Sequence, residues 1–171
     1  MTETENDTPP VDEAEISRKD RVFLVVVDDT PEMRIALRFA CMRARNTGGR
    51  VALLYVMARN DLQYWMGVGE LMREEARSHG ERVLQDHAKK VLEWSESMPI
   101  LFLREGTPRE ALLKLITEEP HISILVLGAS VGGGGPGPLV SALTGKMIGK
   151  LRVPITVVPG NLTDEHIDSV A

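Results

Sequence analysis

Short apolar runs alternate along the chain with longer stretches in which apolar residues return every three or four positions. The runs are Val22 to Val27, Val51 to Val56, Ile100 to Leu103, Ile122 to Leu127 and Ile155 to Val158. Near-continuous apolarity predicts strands of a parallel sheet covered on both faces. Between them, Ile35, Ala36, Phe39, Ala40 and Met42 predict a helix stopped at Gly48-Gly49. The stripe Leu71, Met72, Ala76, Val83, Leu84, His87, Ala88, Val91 and Leu92 predicts a long helix over about 68–96, ending before Pro99. Ala111, Leu112, Leu115 and Ile116 predict a helix over 109–118, and a fourth helix is expected over 139–151.

The punctuation repeats. Asp28-Asp29-Thr30-Pro31 and Glu105-Gly106-Thr107-Pro108 each follow a strand, supplying a threonine to cap the next helix and a proline for its first position. Five strands alternating with helices, joined by right-handed crossovers, predict an α/β fold: a single doubly wound five-stranded parallel sheet of order 3-2-1-4-5 with helices on both faces. Direction reverses between the first and fourth strands, and ligands bind outside the carboxyl ends of strands at such a point. Asp28 and Gly128 are therefore expected to face one crevice. The domain is expected over 20–160, with a disordered acidic tail over 1–19 and a solvated C-terminal tail over 161–171.

Charge changes the picture once it is divided along the chain. The net charge is −5, but six acids precede Ile16 and three follow Thr163, which leaves 16 acids against 20 Lys and Arg between them. The body is thus about +4, suited to a small anion. No Lys/Arg cluster is interleaved with the seven aromatic residues, so nucleic-acid binding is not expected. No apolar run approaches the ~20 residues of a membrane span, and residues 1–14 show no signal-peptide pattern. A cytoplasmic protein without a membrane partner is expected. Cys41 has no second cysteine to pair with and lies on a helical pattern, where it reads as a small buried hydrophobe.

The fourth strand empties into Ala129-Ser130-Val131-Gly132-Gly133-Gly134-Gly135-Pro136-Gly137 and then a helical pattern, an arrangement that can place backbone N–H groups around an anion. Gly132, Gly134 and Gly137 satisfy G-x-G-x-x-G, but after the fourth strand rather than the first, and Gly145-Lys146 lacks the preceding glycine and following hydroxyl of a P-loop. Two readings of the loop stay open, a phosphate cradle and a mobile connector without ligand. Asp28 and Asp29 likewise read either as acceptors for a ribose hydroxyl or exocyclic amine, or as groups that cap the following helix and oppose its positive end. His79, His87, His121 and His166 show neither metal spacing nor a nucleophilic partner, and His87 reads as packed. Tyr64-Trp65-Met66 reads as a core anchor for the long helix or as a lid or partner contact.

The segments Leu24-Val25-Val26-Val27-Asp28-Asp29-Thr30, Ala52-Leu53-Leu54-Tyr55-Val56, Glu105-Gly106-Thr107-Pro108, Ile124-Leu125-Val126-Leu127-Gly128 and Val153-Pro154-Ile155-Thr156-Val157-Val158 together resemble the universal stress protein family. Nucleotide-binding members of that family carry a glycine, two residues, a second glycine, nine residues, a third glycine and a Ser or Thr. Counted from Gly128, the later positions fall on Val131, Ser141 and Ala142, so the motif is degenerate here. The candidate ligand-binding set is Asp28, Asp29, Thr30, Gly106, Gly128, Ser130, Gly132, Gly133, Gly134 and Ser141. The resemblance implies a non-catalytic regulatory protein of the stress response that binds ATP or another adenine nucleotide weakly. A slow ATP hydrolase or nucleotidyl transferase, and a purely protein-interacting stress factor, stay open as alternatives. The fifth strand ends the sheet and exposes unpaired backbone groups. In the resembling family this strand pairs across a two-fold axis, which implies a homodimer through residues 154–159.

Overall fold

The computed structural model describes residues 21–58 and 69–171 of the 171-residue chain. Five parallel strands, β1 (Val22–Val26), β2 (Arg50–Met57), β3 (Ile100–Glu105), β4 (Ile122–Ala129) and β5 (Ile155–Pro159), form one sheet of order β3-β2-β1-β4-β5. Helices α1 (Pro31–Thr47), α2 (Gly69–Ser95), α3 (Pro108–Glu118), α4 (Pro138–Thr144) and α5 (Asp164–Val170) complete the fold. This is the doubly wound architecture expected from the alternating apolar runs.

The period of two along β1 divides the core into two layers. Leu24 and Val26 pack with Leu54, Leu112, Leu115 and Leu125 beneath α3 and α4. Phe23 and Val25 pack with Leu37, Ala40, Cys41, Leu53, Leu84 and Val91 beneath α1 and α2. All five residues of β1 are buried because the central strand is covered on both faces.

Local capping sets where the helices begin and end. Thr30 accepts a hydrogen bond from Met33 N at 3.2 Å, and Thr107 accepts one from Glu110 N at 3.3 Å, with proline at the first position of each helix. Gly48 closes α1 with φ +73°, a left-handed conformation that favours glycine.

Three expectations are corrected. The predicted helix over 139–151 is broken: α4 stops at Thr144, Gly145 leaves helical geometry at φ −97° and ψ −117°, and a single 3-10 turn, Ile148–Lys150, leads to β5. The apolar stripe of α2 is only partly interior, since Leu71, Met72 and Leu92 are 61%, 40% and 45% exposed. The helix meets the sheet at Gly80, Leu84, Ala88, Val91 and Ser95, where the absent Cβ of Gly80 admits Tyr55 and Leu103. Finally, part of the expected C-terminal tail is helix. Thr163 caps α5, Ile167 is fully buried, and Arg34 and Arg38 of α1 fork onto Asp164 and Asp168 at 2.7–3.0 Å. The acidic tail over 1–19 and Tyr64-Trp65-Met66 lie outside the described residues.

Candidate functional site

Above the carboxyl ends of β1 and β4, where the strand order reverses, lies an open cleft of about 590 Å³. That volume falls within the range of small-molecule sites. Val26, Met33, Ala36, Val56, Leu127 and Val140 line its apolar part, and Asp28, Asp29, Thr30, Glu32, Thr107 and Arg109 supply polar groups. Tyr55 lines it from β2, with its ring edge-on to His79 of α2 at 6.3 Å between centroids.

The β1–α1 turn is internally ordered. One Asp28 carboxylate oxygen accepts from both the backbone N–H and the hydroxyl of Thr30, at 2.9 and 2.5 Å, while the Thr30 hydroxyl accepts from Met33 N. Asp28 therefore serves the turn with Oδ1, and the residue that caps α1 is Thr30 rather than Asp28 or Asp29. On the opposite wall the Thr107 hydroxyl donates to Glu110 Oε2 at 3.0 Å while accepting from Glu110 N, a side-chain cap that fixes the start of α3 and the backbone bearing Arg109.

Of the ten candidate residues, Asp28, Asp29, Thr30 and Gly128 line this cleft; Gly106, Ser130, Gly132, Gly133, Gly134 and Ser141 do not. Gly128 is also a packing residue, since a Cβ there would lie 2.2 Å from the Glu32 carbonyl oxygen. The glycine loop folds on itself: Ser130 N donates to the Pro136 carbonyl and Gly135 N to that of Gly132, both at 3.3 Å. Only its end, Pro136-Gly137-Pro138, reaches the cleft. Sequence reasoning missed Arg109, Thr107 and Tyr55. Their signal was positional, because the β2 end and the Thr107-Pro108 cap share the sheet edge that carries Asp28.

Elsewhere, burial pushes the Cys41 thiol up to about 12, so a thiolate is not available at neutral pH. His87 Nδ1 lies 2.9 Å from the carbonyl of Val83, tied to its own helix. Among the described residues, no group of three His, Cys, Asp or Glu side chains is placed to hold a metal ion, and no helix is long and apolar enough to cross a membrane.

The universal stress protein family model matches residues 21–159, from the start of β1 to the end of β5. The chain belongs to the universal stress protein family. No curated protein matches it by sequence. Its fold is similar to that of universal stress protein UspA from Lactobacillus plantarum, at 17% identity and TM-score 0.66, covering 81% of this chain and 97% of that one. It is also similar to a universal stress protein from Arabidopsis thaliana solved with AMP bound, at 17% identity and TM-score 0.57, covering 85% and 94%. A universal stress protein in complex with cAMP aligns at 14% identity and TM-score 0.54, covering 82% and 98%. In this universal stress protein α5 lies beyond the matched segment and packs on α1.

Proposed function

We propose that this universal stress protein is a cytoplasmic regulatory module that holds an adenine nucleotide in the cleft above β1 and β4 and performs no chemistry on it. The observation that carries this reading is the cleft, with its apolar walls and a carboxylate pair at the reversal of strand order. Asp28 Oδ1 is engaged by Thr30, which leaves Oδ2 to accept from a ribose hydroxyl or the adenine amine. The apolar walls suit a purine ring. Family members solved with AMP and with cAMP support the choice of base.

Titration with ATP, ADP, AMP and cAMP, followed by thermal midpoint, tests the reading. A ligand at 100 times its dissociation constant stabilises the native state by about 2.7 kcal/mol, which shifts the midpoint of a chain this size by several degrees. An unchanged midpoint with every nucleotide up to millimolar concentration would overturn nucleotide binding and leave the protein-interacting alternative.

A further inference from the structure

Two independent features of the cleft bear on how much phosphate it accepts. The first is charge. Among the described residues lining it, Asp28, Asp29 and Glu32 carry carboxylates, and Arg109 carries the one guanidinium. Among the described residues no carboxylate lies within ion-pair distance of the Arg109 guanidinium. At about 4 Å, two unit charges in water interact strongly enough to change affinity roughly fivefold, and more strongly in a partly enclosed cleft. One phosphate can be met by Arg109, whereas each further phosphate adds charge to an acidic surround.

The second feature is the supply of donors. Phosphate cradles in α/β folds converge several backbone N–H groups on the anion. Here the part of the glycine loop that faces the cleft is Pro136-Gly137-Pro138, and proline has no N–H, so three consecutive residues offer a single donor. The N–H groups of Ser130, Gly132 and Gly135 are directed to the Pro136 carbonyl, the Ser130 hydroxyl and the Gly132 carbonyl. Of the loop's own residues at the cleft only Gly137 carries an N–H, and with Leu139 and Val140 in the first turn of α4 this wall offers three, too few to cradle three phosphates.

We propose that the cleft selects adenine nucleosides bearing a single phosphate and rejects the triphosphate, with Arg109 holding that phosphate. The proposal rests on the adenine-nucleotide reading above and narrows it to one ligand class.

Isothermal titration of the full chain with adenosine, AMP, cAMP and ATP, in EDTA at low and high salt, tests it. The expected result is AMP or cAMP binding at least about tenfold more tightly than ATP at low salt, with the gap narrowing as salt screens the carboxylates. Arg109→Ala is expected to bring AMP affinity down to that of adenosine while leaving adenosine unchanged, and Arg109→Lys to restore part of the loss. Glu32→Gln is expected to raise ATP affinity. ATP binding as tightly as AMP, or parallel loss of adenosine and AMP in Arg109→Ala, would overturn the proposal while leaving the nucleotide reading intact. Failure of all four ligands to bind would overturn both.

Discussion

Gly128 at the end of β4 lies against the backbone of Glu32 at the start of α1, so close that a Cβ at 128 would come within 2.2 Å of the Glu32 carbonyl oxygen and 3.0 Å of Met33 N. The contact joins the two strand ends that bracket the cleft, because α1 leaves β1 at this level. A flexible side chain could move aside, but helix backbone cannot. The glycine is therefore fixed by packing, whatever the cleft holds.

Gly128→Ala is accordingly expected to destabilise the fold by about 1–3 kcal/mol, the usual range for overpacking. The midpoint of thermal unfolding should fall by roughly 2–4 °C per kcal/mol for a chain of this size. Gly133→Ala is the internal comparison. Nothing lies within 4 Å of a Cβ there, and its φ is outside the positive region. It should be neutral or stabilising by about 0.4–1 kcal/mol, through the unfolded chain. Equal effects at the two positions would contradict the packing account.

Arg152, just before β5, bridges the connection between α3 and β4 in a way the sequence pattern does not reveal. Its guanidinium donates to the carbonyl oxygens of Ile116 at 2.8 Å, Glu119 at 2.5 Å and Ile122 at 3.2 Å, closing the end of α3 and the entry to β4. Hydrogen bonds from a charged donor contribute about 1.5–3 kcal/mol. Arg152→Ala should lower stability within that range in urea unfolding, with an unchanged slope. Arg152→Lys should recover less than half, since an ammonium cannot reproduce the planar fork.

Which parts of this architecture are legible in the sequence follows from how local their causes are. The caps at Thr30 and Thr107 depend on residues three positions apart, and the strands on runs of six or so apolar residues, so both can be read directly. The burial of α5 depends on Arg34 and Arg38, 130 residues away, and a seven-residue helix has no long periodic stripe to betray it. Leu71 and Met72 fit the helical period yet are exposed, because periodicity states which face of α2 is apolar and not how far the sheet extends beneath it. At the site, Asp28 and Gly128 follow from strand order alone. The glycine loop misleads because its composition does not show where its N–H groups point, and Arg109 is missed because only the folded sheet brings the start of α3 beside β1.

The docking of α5 carries a pH dependence with a definite sign. Arg34 hydrogen-bonds Asp164 and holds its carboxyl below the ordinary value. A carboxylate depressed in the folded state contributes stability that is present above the unfolded value of about 3.9 and is lost as pH falls through the folded one. Arg34 and Arg38 also stack on the Trp94 ring, at 5.5 and 5.4 Å from its centroid. In a Trp65→Phe background, Trp94 emission should therefore change below about pH 4, and Asp164→Asn should show part of that change at neutral pH. The pairs are partly exposed, so the effect is modest and should shrink in high salt. A Trp94 signal unaffected by Asp164→Asn would separate the stack from the docking.

The last prediction concerns the outer edge of the sheet. β5 bonds only β4 within the sheet, and Val157, opposite Leu127 in the register, is 38% exposed. An edge of this kind presents unpaired N–H and C=O groups beside apolar side chains, with Pro154 and Pro159 placed only at its ends. We propose that a second copy of the chain covers it through residues 154–159, in an isologous contact that sets each Val157 near the axis. Val157→Lys then places two like charges close together in an apolar setting, and the dimer should weaken at least about tenfold. The variant monomer should keep its thermal midpoint, because this side chain faces solvent until the contact forms. Sedimentation equilibrium over a wide concentration range decides the matter. A monomer at every concentration, or a dimer indifferent to Val157→Lys, would remove β5 as the interface.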